Sequence, residues 1–261
     1  MNRKKISVRT EEYPAEFQIF LQNADVYDSS CSPEARVIFI DKDGGYFLKT
    51  APKGTLKTEA EMTSFFHEKK LGAEVLAYLS TDQDYFLTAR IPGEDCTFAA
   101  YLENPKKLCD TTAMLLRELH ETDFSGCPVQ NRLKTYAETA RKNYKNGAYD
   151  LSYFTDIYGT ITADEAFHLA ENGLSVLKND TLLHGDYCLP NIMLDDFRFS
   201  GFIDVGNGGV GDRHIDLYWG AWTLNFNLKT DRYRTRFFDA YGKDLVDEEK
   251  LRTVAAFEVF G

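Results

Sequence analysis

Residues 182–194 read LLHGDYCLPNIML, and residues 201–217 read GFIDVGNGGVGDRHIDL. Short apolar runs enclose a polar loop in which His184, Gly185 and Asp186 are followed five residues past the aspartate by Asn191, with a second acid at Asp204. TLLH, NIML and SGFID have the length and apolar content of short strands, so the polar residues between them fall on turns. That small island of sheet lies inside a stretch of otherwise helical character, and the contrast decides the fold class.

Working outward, apolar residues recur at helical spacing over 106–120 (Leu108, Leu115, Leu116, Leu119), 131–146 (Leu133, Tyr136, Ala140, Tyr144) and 163–177, and again over 215–228, 231–241 and 247–260. The first third differs. RVIFID (36–41) and GYFLKT (45–50) flank the turn Lys42, Asp43, Gly44 and predict a hairpin, and YFLTAR (85–90) predicts a third strand. Between them Thr58, Glu59, Ala60 and Glu61 match a helix capping box, with Met62, Phe65 and Phe66 as the buried stripe and Lys69, Lys70 and Gly72 as the stop. The expected architecture is α+β: residues 1–90 a small β-rich N-lobe, residues 91–261 a larger, mainly helical C-lobe.

The chain has 261 residues, 43% apolar and 14% aromatic, enough for a sizeable ordered core. Its 30 Lys+Arg against 41 Asp+Glu give a formal charge of −11, which disfavours nucleic acid and anionic membranes as partners and suits a cationic ligand. MNRKKISVRTEEYPAEF lacks the apolar core of a leader peptide, and no run approaches the roughly 20 apolar residues that span a bilayer. Five scattered cysteines without metal-site spacing read as free thiols; the expectation is a cytoplasmic protein.

One carboxylate and one amide on a loop, with a second carboxylate downstream, suit phosphoryl transfer. That reaction needs an acid to orient a hydroxyl and accept its proton, and oxygen ligands to hold Mg²⁺ against nucleotide phosphates. HGDYCLPN and GFIDVGNGGVGDRHIDL resemble the catalytic core of the aminoglycoside phosphotransferases, in particular the 3′-O-phosphotransferase branch, which shares the bilobal protein-kinase-like fold. LLRELHETDFSGCPV (115–129), FFDAYG (237–242) and FEVFG (257–261) are similar to further segments of that branch.

The resemblance implies roles by position. Asp186 is the catalytic acid–base residue, Asn191 and Asp204 are the Mg²⁺ ligands, and Lys49 contacts the nucleotide phosphates while paired with a helix glutamate. Glu59 lies nearer the buried face of its helix than Glu61 and is the expected partner, with Glu61 as the alternative. Ser30, in the glycine-free turn DSSCSPEARV (28–37), would cover the phosphates, and the backbone of Ala89 to Ile91 would bond the base. ATP and GTP are both admitted as donors. His184 is expected to order the loop, Asp216 to brace it or to cap the following helix, and Asp212 to serve a turn.

For the acceptor, only about ten residues separate Asp204 from the next helix, too few for a protein-kinase activation segment. A small molecule is implied. Asp150, Asp156 and Glu258 are the expected partners of aminoglycoside ammonium or hydroxyl groups. Phe226 and Asn227 stand where relatives carry acids, which leaves open a kinase of the same fold acting on choline, a sugar or a macrolide. A nucleotide-binding module without turnover is the reading from another class.

Overall fold

The computed structural model describes residues 4–31 and 33–261. Residues 1–3, at the start of the stretch read for a leader, and Ser32, within the turn 28–37, lie outside the described residues. The chain forms two compact units, one of Met1–Gly93 with Ser200–Gly206, the other of Glu94–Phe199 with Asn207–Gly261.

In the first unit β1 (Lys4–Ile6), β2 (Asp25–Asp28), β3 (Arg36–Asp41), β4 (Tyr46–Pro52), β5 (Val75–Ser80) and β6 (Gln83–Ala89) form an antiparallel sheet of order β1-β2-β3-β4-β6-β5. Because strand side chains alternate between faces, β4 sends Leu48 to one side and Lys49 and Ala51 to the other. The Leu48 side buries Ile38, Ile40 and Leu87 against Phe17 and Leu21 of α1 (Ala15–Leu21). Each such side chain contributes on the order of 2 kcal/mol. The opposite face packs Ala51 and Phe86 on Leu56 and Ala60 at the start of α2 (Lys57–Glu68). Strand parity therefore turns Lys49 toward α2.

The capping box expected at Thr58 to Glu61 is not formed. Leu56 occupies the N-cap position without a side-chain cap, so Thr58 already lies inside the helix. The buried Asp84 of β6 holds that helix start instead, its Oδ2 accepting from Leu56 N at 2.8 Å and its Oδ1 from Gly54 N at 2.9 Å. A tertiary carboxylate replaces the local cap. The motif does form elsewhere: Thr162 and Glu165 make a reciprocal box at α7. Helix α1 and strand β5 were absent from the sequence reading; α1 is short, and VLAYLS is a continuous apolar run that periodicity does not resolve.

The second unit is built of helices α3 (Ala99–Leu102), α4 (Pro105–Glu121), α5 (Arg132–Lys145), α6 (Ser152–Tyr158), α7 (Ala163–Gly173), α8 (His214–Leu228), α9 (Arg234–Gly242) and α10 (Glu248–Glu258). Its strands are β7 (Glu94–Asp95), β8 (Thr181–Leu183), β9 (Ile192–Asp195), β10 (Arg198–Phe202), within which the chain returns to the first unit at Ser200, and β11 (Gly209–Gly211). β8 pairs with β11 and β7 with β9, both antiparallel. Leu108, Leu116 and Leu119 of α4 are fully buried, and α8 buries residues around most of its circumference. Among the described residues no helix is long and apolar enough to cross a membrane.

Candidate active site

Lys49 sits where strand parity sends it. Its Nζ donates to Glu59 Oε1 at 2.9 Å and Oε2 at 2.8 Å, and to Asp204 Oδ1 at 3.1 Å. Glu59 is 12% exposed, whereas Glu61 is 47% exposed and makes a loose 3.7 Å pair with Lys57. Burial opposes the Lys49 charge, but the carboxylates of Asp204 and Glu59 outweigh it and raise its pKa. One ammonium facing two carboxylates leaves the group net negative, and Asp204 remains 54% exposed.

The loop carrying Asp204 is fixed from both sides. Phe202 N donates to Leu71 O at 2.7 Å, and the Phe202 ring meets Phe66 of α2 edge-on at 6.3 Å. Gly206 passes so near Glu59 that a Cβ there would come within 3.2 Å of the Glu59 Cβ. Asp204 itself adopts a left-handed φ of 58°, a conformation that costs a non-glycine residue about 1 kcal/mol or more.

The other expected nucleotide contacts are partly occupied. Ser30 Oγ accepts from Val37 N at 3.0 Å and donates to Val37 O at 3.3 Å, closing the β2–β3 turn. Ala89 N is bonded to Glu74 O and Arg90 N to Gly45 O, each at 3.0 Å. Among the described residues this leaves the buried Ile91 as the one of the three whose N–H has no hydrogen bond.

In the second unit Asp216 of α8 organises the loop. Its Oδ2 accepts from His184 N at 2.7 Å and its Oδ1 from Gly185 N at 2.8 Å. His120 Nε2 lies 3.2 Å from Asp216 Oδ2, and His120 Nδ1 lies 2.8 Å from the Tyr241 hydroxyl. Burial lowers the His120 pKa against the pull of Asp216, so the neutral ring donates to Asp216 and accepts from Tyr241. Gly185 has φ +84°, and a Cβ there would stand 1.8 Å from Asn207 O; no other residue fits.

His184 Nδ1 accepts from Asp186 N at 3.3 Å, the ordering role expected of it. Asn191 Nδ2 donates to Asp186 O at 3.0 Å and to Asp186 Oδ2 at 2.9 Å. This fixes the Asp186 carboxylate and leaves Asn191 its Oδ1 as the remaining side-chain oxygen. Beneath it Tyr187 is fully buried, its hydroxyl donating to Thr112 O at 2.7 Å. Asp212 is more than a turn residue. Buried, it accepts from His214 N, the His214 ring, Lys178 N and Lys250 Nζ; desolvation opposes its charge, but the bonds from His214 and Lys178 hold its carboxyl well below the usual range.

Of the three expected acceptor acids, Asp150 is exposed and accepts from Ser152 N at 2.9 Å, and Asp156 is exposed on α6. Glu258 is only 4% exposed. Its Oε1 accepts from the Tyr136 hydroxyl at 2.7 Å and from Trp219 Nε1 at 3.0 Å. Burial lifts its pKa to about 7, against those two hydrogen bonds. Asp150, Glu258 and Asp186 share a neighbour in Tyr153, whose phenol is pushed up by burial first and then by their charges.

Residues 32–254 match the model of the Phosphotransferase enzyme family (APH). The chain belongs to the phosphotransferase enzyme family. Within it, this family member is 51% identical over 261 residues, all of this chain and 99% of the relative, to the "Probable aminoglycoside 3'-phosphotransferase" of Lactococcus lactis subsp. lactis (strain IL1403). It is 30% identical over 219 residues, 82% of the chain and 83% of the relative, to the aminoglycoside 3'-phosphotransferase of Niallia circulans. Among solved structures, that of an aminoglycoside-3'-phosphotransferase of type VIII superposes with TM-score 0.75 at 23% identity, covering 96% of each chain, which establishes the shared α+β kinase-like fold.

Sequence reading missed the side chains that hold Glu258 and the Asp216 network in this family member: Tyr136, Trp219, His120 and Tyr241. One signal was present for Glu258, which stands in the otherwise apolar run Val254–Phe260, where a charged residue is enclosed by its neighbours.

Proposed function

We propose that this chain transfers the γ-phosphoryl group of a nucleoside triphosphate, ATP or GTP, to the 3′-hydroxyl of a cationic aminoglycoside. The observation that carries the reading is the 51% identity across all 261 residues to a relative named for that activity. The side-chain geometry supports the chemistry. Asp186, fixed by Asn191, orients the acceptor hydroxyl and takes its proton as the oxygen bonds to the γ-phosphorus. The bond to the bridging oxygen breaks, and the nucleoside diphosphate leaves with that electron pair.

Lys49, positioned by Glu59, sets the nucleotide phosphates. The N–H of Ile91 is the hinge donor best placed for the base, and Ser30 shapes the phosphate-covering turn while its hydroxyl stays on Val37. Asn191 and Asp204 remain the proposed magnesium ligands: each carries a hard side-chain oxygen, and within its own unit the group of Lys49, Glu59 and Asp204 carries net negative charge. A bound magnesium ion would neutralise phosphate charge; such ions are held by one or two protein ligands plus phosphates rather than by a protein cage. We assign nucleotide binding to residues 1–90 with Asp204, and acceptor binding to residues 91–261, with Asp150, Asp156 and Glu258 toward ammonium groups. Five free thiols suit the reducing cytoplasm, where the donor nucleotide is made.

A coupled turnover assay with Mg²⁺, ATP or GTP, and kanamycin, a 3′-deoxy aminoglycoside or choline tests this. Turnover with kanamycin and none with the 3′-deoxy compound is expected; turnover with choline alone would transfer the reading to another acceptor. Asp186→Ala should lower kcat by roughly 10²- to 10⁴-fold, and near-normal turnover would remove Asp186 from its role.

A further inference from the structure

The acceptor-binding half holds a row of aromatic rings that acids alone do not account for. Trp219, Trp222, Thr223 and Phe226 fall at i, i+3, i+4 and i+7 along α8, which places them on one side of the helix. Thr223 shows where that side points, since its Oγ1 accepts from Leu189 N at 3.1 Å, in the same loop as Asp186. Trp219 meets Trp222 edge-on at 5.3 Å, and Trp222 lies flat on Phe226 at 4.9 Å with 12° between planes. Tyr153 of α6 approaches both indoles, at 5.6 and 5.9 Å. The row begins at Glu258, which accepts from Trp219 Nε1, and ends at Phe226, 54% exposed.

The outer ring already holds a cation. Lys229, the C-cap of α8 in a left-handed conformation (φ 55°), places its ammonium 4.3 Å from the centre of the Phe226 ring. At that distance the negative face of the ring attracts a positive charge. The Asn227 amide nitrogen is turned back onto its own helix, donating to Thr223 O at 2.8 Å and Thr223 Oγ1 at 3.1 Å.

We propose that Tyr153, Trp219, Trp222 and Phe226 form the platform on which an amino-sugar ring of the acceptor lies, with Phe226 holding a substrate ammonium in place of Lys229. The proposal rests on the phosphotransfer reading above and deepens it by naming what recognises the acceptor. An amino sugar suits the row because its C–H faces pack on the indoles while an ammonium group meets the Phe226 face at the exposed end. It also gives a physical reason for Phe226 at a position where an acid was expected: a ring face attracts an ammonium without carrying charge.

Kanamycin binding without nucleotide, followed by tryptophan fluorescence, and steady-state turnover test the platform together. Phe226→Leu should weaken binding and raise the kanamycin KM roughly two- to fivefold with kcat and melting temperature essentially unchanged, and Phe226→Trp should restore both. Lys229→Ala should tighten binding, since it removes the competing ammonium, a change that a merely structural lysine would not produce. If Phe226→Leu and Lys229→Ala leave Kd and KM unchanged while wild type turns over, the platform is overturned and the phosphotransfer reading stands. Binding that responds to both substitutions without any turnover keeps the platform and overturns the reading; a wild type that neither binds nor phosphorylates kanamycin overturns both.

Discussion

Two charged clusters, one in each unit, solve opposite electrostatic problems. Around Lys49 a single ammonium faces two carboxylates, one of them half exposed, so the group is unbalanced until something positive joins it. Around Asp216 the carboxylate is fully buried, and both oxygens accept from backbone N–H groups with a neutral histidine alongside. The first arrangement leaves charge for a ligand to complete. The second uses charge to hold a backbone still, which keeps the loop leading into Asp186 in one arrangement.

If that contrast is right, substitutions in the two clusters should separate activity from stability. The largest effect is expected on activity from Lys49→Met, which should lower kcat/KM for the nucleotide on the order of 10²-fold, the scale of one lost electrostatic contact. Steady-state kinetics checks this, and a loss below threefold would sink the phosphate role. Asp216→Asn should act mainly on stability. An amide offers one acceptor where the carboxylate offers two, so a buried N–H of His184 or Gly185 loses its partner at about 1–3 kcal/mol. Chemical denaturation reads that directly, and an unchanged midpoint would refute the bracing role.

A third test sharpens the comparison through pH. Glu258 has a folded pKa of about 7 against an ordinary 4.5, so the folded state binds the extra proton between those values. Its contribution to stability therefore falls as pH rises from about 4.5 to about 7 and stays low above that. Glu258→Gln should melt higher than wild type at pH 8 and show little difference at pH 4. Equal melting temperatures at both pH values would contradict a buried, proton-holding Glu258.

What the sequence made legible was local. The spacing from Asp186 to Asn191 lies within one loop, and the choice of Glu59 over Glu61 needs only the angle between residues on one helix. Thr58 to Glu61 satisfies the capping pattern as well as Thr162 to Glu165 does, but only the second pair caps a helix. The carboxylate that displaced the first, Asp84, comes from a different strand. Glu258 was placed at the acceptor as an open charge, and nothing in the spacing of acids revealed that Tyr136 and Trp219, from two other helices, enclose it.

The path of the chain restricts how this protein divides into fragments. The chain passes between the units at 93–94, 199–200 and 206–207. A piece ending at Gly93 would keep Lys49 and Glu59 but lose Asp204 and the Phe202 amide that bonds Leu71 O. No single cut yields both units whole, so a split-protein reporter built from this chain would regain its ion cluster only on reassembly, and the seven-residue return at Ser200–Gly206 would be the element that makes reassembly detectable.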